Sequence, residues 1–521
     1  MTETPWWRHA VCYQIYVRSF ADSDGDGIGD LPGITSRMPY LAALGVDAVW
    51  ITPFYPSPQH DHGYDVADYC DVDPLFGSLE DLDALLAAAH EHGVRVIVDL
   101  VPNHTSSAHP WFAEALAAGP GSPERARYLF REGTQAPNNW ESVFGGPAWT
   151  QTDDGQWYLH LFDATQPDLD WRNPEVPAMF ADVLRFWLDR GVDGFRIDVA
   201  HGLFKEDGLP DQRLTDAERA ANLAEESLIP LHPEHEPMWD QPEVHEVYRS
   251  WRKILASYPD ERMAVGEAWT RDAESMARYI RPDELHQSFN FHWLSAPWSA
   301  EAFAEVIRET LDAVAPVGGS PTWVLSNHDV VRHVTRYGGG ARGLARARAA
   351  TLTMLALPGS AYLYQGEELG LEEVDVAPAD RQDPRSITTG EPGRDGCRVP
   401  LPWAGERAPY GFGPGPGRTW IPQPDGWAEV TVEAQESDPG STLAFYRAAL
   451  AARRGFAETA GDVVELLDLG ENVLAFRRGP VVCVLNCGTS AVDLPDGELL
   501  LSSGPVAGAT LPRDTAAWLR S

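Results

Sequence analysis

Eight short runs rich in β-branched and aromatic residues recur along the chain, and their spacing constrains the fold more than any other feature. They are VCYQIY (11–16), AVWIT (48–52), VRVIVDLV (94–101), GFRIDV (194–199), RMAVGE (262–267), SFNF (288–291), TWVLSNHD (322–329) and AYLYQ (361–365). Most are apolar throughout, and amphipathic stretches such as LEDLDALLAAAHEHG (79–93) and PAMFADVLRFWLDRG (177–191) separate them. Strands buried on both faces, joined by one-sided helices, make a parallel sheet with crossover connections. Eight such units predict a closed (β/α)8 TIM barrel. Gly93 and Gly191 stand where two of the helices should end.

Two segments break this rhythm. Residues 104–170, rich in Trp, Pro, Gly and Asn, lie between the third and fourth runs and predict an inserted subdomain over the barrel mouth. Beyond the helix-like STLAFYRAALAARR (441–454), the segments ENVLAFRRG and VVCVLNC follow with no helix between them, predicting a C-terminal all-β sandwich. The expected division is 1–103 and 171–455 for the barrel, 104–170 for the insertion and 456–521 for the β domain.

Charge and composition exclude several functions. The 521 residues carry 40 Lys and Arg against 78 Asp and Glu, a formal charge of −38, so a nucleic-acid partner is not expected. The opening MTETPWWRHAVCYQIY has neither the basic nor the apolar region of a signal peptide, and no stretch approaches the roughly 18 apolar residues that span a bilayer. No membrane partner and a cytoplasmic location are the expectation. The five cysteines are an odd number, and Cys483 and Cys487 on one strand-like run are too far apart to bridge, so free thiols in a reducing compartment are expected. Oligomeric state is not legible.

Charged residues collect where the inferred strands end, the face on which barrel enzymes keep their active sites. Asp99 closes the third run, Arg196 and Asp198 the fourth, Glu267 the fifth, and His328 with Asp329 the seventh. Any one of these carboxylates alone is more often a helix cap or an ion pair than a catalytic group, and it is three of them on nearby strands that point to a site. Arg196 lies two residues before Asp198, so both side chains should enter the same mouth, where a fixed cation would keep the carboxylate ionised as a nucleophile.

DLVPNH (99–104), GFRIDVAH (194–201), GEAW (266–269) and SNHD (326–329) resemble, in order, the conserved regions of the α-amylase superfamily, glycoside hydrolase family 13. QPDLDW (166–171) resembles the fifth region of its oligo-1,6-glucosidase and α-glucosidase branch, with Asp170 where Asn is common. With the Tyr-Gln-Gly-Glu run at 364–367 and RDGCRVP (394–400), the resemblance extends to about residue 455. It implies a retaining, exo-acting α-glucosidase that releases terminal glucose from maltose- or isomaltose-type oligosaccharides or other small α-glucosides. Asp198 would be the nucleophile, Glu267 the general acid and base, and Asp329 the carboxylate that holds the distorted sugar. Retaining glycosidases need two carboxyl groups about 5–5.5 Å apart, one ionised and one carrying a proton.

The resemblance also implies the substrate contacts. His104 and His328 would bond sugar hydroxyls, and Phe162 and Gln166 would shape the same pocket. In QHDHGYD (59–65), Asp61 would pair with Arg398 to wall off the sugar's non-reducing end while Tyr64 supplies a stacking face. Val199, directly after the nucleophile, is the residue type of relatives that cleave α-1,6 bonds, whereas Thr accompanies α-1,4 preference. DSDGDGIGD (22–30) offers Asp22, Asp24, Asp26, the Ile28 carbonyl and Asp30 as ligands for one structural Ca²⁺ or Mg²⁺. Position 12 of an EF-hand would be Gly33, so a calcium sensor is excluded. No organic cofactor is implied.

Two other functions stay open. A transglucosylase or isomerase of the same fold, with sucrose, maltose or trehalose as donor, would use the same carboxylates. A non-catalytic scaffold member would lack them. An acidic segment at 205–245, with Glu225, Glu226, His232 and His235, has no partner legible in the sequence.

Overall fold

The computed structural model describes residues 4–215, 218 and 236–520. Along the chain run β1 (Val11–Ile15), β2 (Ala48–Ile51) and β3 (Arg95–Leu100), then three short strands, β4 (Phe130–Glu132), β5 (Trp149–Gln151) and β6 (Gln156–Leu159). The barrel resumes with β7 (Gly194–Ile197), β8 (Met263–Gly266), β9 (Gln287–Ser288), β10 (Thr322–Val324) and β11 (Ser360–Tyr364). Eight parallel strands order as β10-β11-β1-β2-β3-β7-β8-β9, and a parallel bridge between Asn290 and Trp323 joins the two ends. The barrel is thus nearly closed, as the eight apolar runs predict.

SFNF departs from the expected strand. Only Gln287–Ser288 pairs with β8, because Asn290 turns the chain by accepting the Trp293 N–H and capping the helix Phe291–Ser295. Strand side chains including Ile15, Val49, Val98 and Leu363 form one apolar core with the helices, and the alternate positions Cys12, Trp50, Ile97, Val265 and Tyr362 form a second apolar cluster. Among the described residues no helix is long and apolar enough to cross a membrane.

Strands β4, β5 and β6 form an antiparallel sheet in the order β4-β6-β5, with its own apolar cluster around Trp140, Trp149 and Leu161. Asp168 helps to fasten this insertion to the barrel: Asn103 Nδ2 donates to its Oδ2 at 3.2 Å, and Lys205 Nζ lies 2.7 Å from the same oxygen. At the far end, β12 (Glu465–Leu467), β13 (Val473–Arg478), β14 (Val481–Asn486), β15 (Val492–Asp493), β16 (Glu498–Ser502), β17 (Thr510–Leu511) and β18 (Thr515–Arg520) complete the chain. Five of them form an antiparallel sheet in the order β12-β13-β14-β18-β16, whose Cys483 and Trp518 join the barrel core. Its other face, with Val484 and Leu519, meets the β15-β17 ribbon around Leu511, so the second layer of the sandwich is two strands wide. All five cysteines are free.

Candidate active site

Adjacent strands deliver the chemistry because their register is fixed by the apolar barrel. Asp99 on β3 lies opposite Arg196 on β7, and Ile197 opposite Gly266 on β8, so Asp198 and Glu267 leave neighbouring strand ends together. The buried Arg196 guanidinium bonds Asp99 Oδ1 at 2.9 Å, Asp198 Oδ1 at 2.6 Å and Glu267 Oε2 at 2.7 Å, with its carbon 4.9 Å from the Trp50 ring centre. Glu267 also accepts from the Val199 N–H at 3.0 Å and from Trp269 Nε1 at 3.0 Å. Val199 holds φ at +44°, a left-handed conformation that is costly for a β-branched residue and aims its N–H at the acid.

One cation shared by three carboxylates changes the expected electrostatics. The sequence suggests that Arg196 keeps Asp198 ionised; instead burial, helped by the charges of Glu267, Asp99 and Asp329, raises Asp198 well above the usual carboxylate range despite Arg196. Asp99 is likewise pushed up to about 6, chiefly by burial. Asp329 goes the other way. Although burial opposes it, His328, Arg394 and Arg398 hold its carboxyl well below the ordinary range.

The end wall uses a different arginine from the one expected. Arg398 does not pair with Asp61; its Nε donates to the His328 carbonyl at 2.8 Å and its Nη2 to Asp329 at 3.0 Å. The short 3₁₀ turn Asp395–Arg398 directs this fully buried side chain beneath Asp329. Arg394, one turn earlier, takes the expected role: it reaches Asp61 at 2.9 Å and Asp329 at 3.0 Å, and its guanidinium carbon stands 4.9 Å from the Phe144 ring centre. Burial pushes Asp61 up to about 6 against the lowering by Arg394 and Arg398.

A cavity of about 540 Å³ brings together Asp61, Tyr64, His104, Phe162, Asp198, Val199, Glu267, His328, Asp329 and Arg394. Arg196 and Gln166 stand behind it. Gln166 Nε2 donates to Asp61 Oδ2 at 3.1 Å and lies 3.1 Å from His104 Nε2, so it braces the pocket from outside. Tyr64 stacks on His328 with ring centres 5.3 Å apart and donates to Asp99 at 3.1 Å. Burial lowers His104 to about 4 and His328 far below its usual value, so both rings are neutral near pH 7.

Most of the outer half of the cavity lies outside the sequence motifs. It is lined by Glu141, Phe144, His201, Gln212, Glu236, Trp239, Arg385, Thr389 and Glu391, with Trp239 stacked on His201 at 4.9 Å. His201 belongs to GFRIDVAH, and Arg394, in the end wall, to RDGCRVP, so both could have been found there; the remaining outer residues carry no comparable signal. Residues 216–217 and 219–235, with Glu225, Glu226, His232 and His235, lie outside the described residues.

In the acidic loop, one carboxylate oxygen from each of Asp22, Asp24 and Asp30 lies within 4.8 Å of the others. Asp26 is outside this group and accepts the Ile28 N–H at 2.8 Å. Gly27, at φ +92°, has no room for a side chain, since a Cβ would lie 2.1 Å from the Arg418 carbonyl oxygen. Three hard oxygen donors, two of them on buried residues, fit a single Ca²⁺ or Mg²⁺.

The family described as alpha amylase, catalytic domain, matches residues 14–459. A probable alpha-glucosidase of Rhizobium meliloti (strain 1021) is 41% identical over 504 residues, 93% of this chain and 90% of that protein. A trehalose-6-phosphate hydrolase of Bacillus subtilis (strain 168) is 35% identical over 91% of this chain and 88% of its own length. Among solved structures, an alpha-glucosyl transfer enzyme, XgtA, is 38% identical, with a TM-score of 0.89 over 99% of this chain and 100% of that one.

Proposed function

We propose, from the premise that this chain belongs to the alpha-amylase family, that it removes the terminal glucose of short α-glucosides by double displacement. It is a glycoside hydrolase of the α-glucosidase type. In the first step Asp198 bonds the anomeric carbon as the glycosidic C–O bond breaks, and Glu267 gives its proton to the leaving oxygen. In the second, Glu267 takes a proton from water, whose oxygen attacks the same carbon and releases Asp198. Asp99, Asp198 and Glu267 share one guanidinium in the substrate-free cluster, and the first step needs the proton of the reacting pair on Glu267 while Asp198, which burial favours as the neutral acid, is ionised as it attacks. Asp329, kept ionised by Arg394 and Arg398, would hold the sugar and its developing positive charge.

The observation that carries this reading is the convergence of Asp198, Glu267 and Asp329 on a blind end closed by Asp61 and Arg394. A pocket deep enough for one terminal sugar enforces exo-action. Among the described residues of the outer half, Arg385 is the lone Lys or Arg, against Glu141, Glu236 and Glu391, which favours neutral aglycones over phosphorylated ones. One Ca²⁺ or Mg²⁺ at Asp22, Asp24 and Asp30 would stiffen the loop after β1 without touching substrate. Free cysteines support a cytoplasmic location.

A proton NMR time course with maltose and isomaltose in one tube tests the reading. α-Glucose as the first product supports it, and the disaccharide that vanishes faster reports the influence of Val199; consumption of neither would overturn it. A transfer reaction is the second reading, favoured by the likeness to the alpha-glucosyl transfer enzyme and by the Trp239 and His201 plate where an acceptor would stand. Transfer product in excess of free glucose would select it.

A further inference from the structure

Resting on the exo-acting reading above, we infer that Asp383, which does not line the cavity, is the positioning residue that sets the end wall by clamping Arg394 from behind. Asp383 is fully buried. Its Oδ2 accepts from both the backbone N–H and the Nε of Arg394 at 2.7 Å, and its Oδ1 lies 3.4 Å from Nη2. The two outer nitrogens of the fork are thereby left for the site: Nη1 reaches Asp329 and Nη2 reaches Asp61. A planar guanidinium held at its Nε edge has one orientation in which both contacts form.

Asp383 is itself pinned. The backbone N–H groups of Gln382 and Asp383 donate to Asp395 Oδ2 at 3.1 and 3.2 Å, and a Cβ on Gly393 would stand 2.7 Å from the Asp383 carboxyl carbon. The segment carrying Arg394 is therefore packed directly on the segment carrying Asp383. Asp383 also caps the helix Pro384–Thr389 by accepting the Arg385 N–H at 2.8 Å, and Arg385 and Thr389 of that helix line the open half of the cavity. One buried carboxylate thus joins the rim to the wall.

Capping and clamping are separable. Asp383→Ser keeps an N-cap oxygen and loses the carboxylate; Asp383→Ala loses both. The two variants and the parent enzyme are compared on p-nitrophenyl α-glucoside and on the same glucoside with its 4- and 6-hydroxyls tied as a benzylidene acetal. The expected result is a KM for the free glucoside raised about tenfold or more in both variants, as for loss of a charged buried bond. The ratio of kcat/KM on the blocked to the free substrate should rise by a similar factor, with the melting temperature of Asp383→Ser near that of the parent. Binding of 1-deoxynojirimycin by calorimetry reads the same wall without turnover and should weaken by at least a similar factor in Asp383→Ser. Unchanged KM, ratio and inhibitor affinity in Asp383→Ser, whether or not Asp383→Ala is impaired, would reduce Asp383 to a helix cap and overturn the inference. Failure of the parent enzyme to cleave the free glucoside would instead count against the glucosidase reading, with calorimetry still deciding the role of Asp383.

Discussion

At the blind end of the cavity Arg196, Arg394 and Arg398 share six carboxylates, Asp61, Asp99, Asp198, Glu267, Asp329 and Asp383, at 2.6–3.0 Å. Around the opening the lining comes from loops and one short helix: exposed Glu141 and Glu391, and half-buried Trp239 and Arg385. Asp99, Arg196, Asp198 and Glu267 sit on or directly after barrel strands whose register the apolar core dictates, while Asp61, Asp383, Arg394 and Arg398 come from turns and a helix cap linked by ion pairs among themselves and with Asp329, so charge stabilisation is built in before substrate arrives. The outer groups sit on segments free to vary without disturbing that core. The comparison teaches that one cavity has two differently built halves, and the proposed function gives bond breaking to the inner and acceptor choice to the outer.

The sharpest way to break this division is at its inner half. Asp198→Asn and Glu267→Gln should each lower turnover about 10³-fold or more with little change in melting temperature, because general acid catalysis alone supplies about 10²–10⁴; kcat and a thermal melt check both. Activity within tenfold of the parent in both variants would remove these residues from the chemistry.

A pH series tests the wall next. Burial lifts Asp61 to about 6, so the folded protein takes up this proton as pH falls through about 6, while the unfolded chain stays ionised until about 3.9. Acidification through that window removes the charge facing Arg394 but, through this group, favours the folded state. The expected outcome is kcat/KM on short glucosides falling below pH 6 with no loss of melting temperature traceable to Asp61, and Asp61→Asn lacking that limb. A limb that persists unchanged in Asp61→Asn would assign it elsewhere.

Smaller effects belong to the outer half and to the loop at 22–30. Trp239→Ala should lower the ratio of transfer to hydrolysis severalfold while hydrolysis of an aryl glucoside stays within about threefold, read from product ratios. Chelation should lower the melting temperature by a few degrees without changing kcat at 25 °C, since binding to the folded state alone stabilises by mass action. Asp24→Ala should abolish that response, and a chelator that stops catalysis outright would contradict a structural cation.

The same contrast governs how much of the protein was legible in its sequence. The eight apolar runs correspond to the eight barrel strands because burial on both faces leaves a pattern that packing then enforces. SFNF misled because Asn290, a capping residue inside an aromatic run, starts a helix instead. Asp198, Glu267 and Asp329 were legible as strand-end charges, whereas the choice between Arg394 and Arg398 turns on the direction of one 3₁₀ turn, which spacing alone does not specify. Asp198 was expected to stay ionised because sequence shows Arg196 beside it and hides the two other carboxylates sharing the same cation. Glu236 and Trp239 carry no local pattern, and their place in the cavity depends on tertiary packing that sequence spacing does not specify.

The central claim, a covalent intermediate on Asp198, is open to direct measurement. The protein is incubated with 5-fluoro-α-glucosyl fluoride, whose intermediate hydrolyses slowly, and intact mass and peptide mapping follow. The account predicts one fluoroglucosyl unit per chain, on the peptide that contains Asp198 and absent from Asp198→Asn. A label on another carboxylate, or turnover that yields β-glucose as the first product, would contradict it.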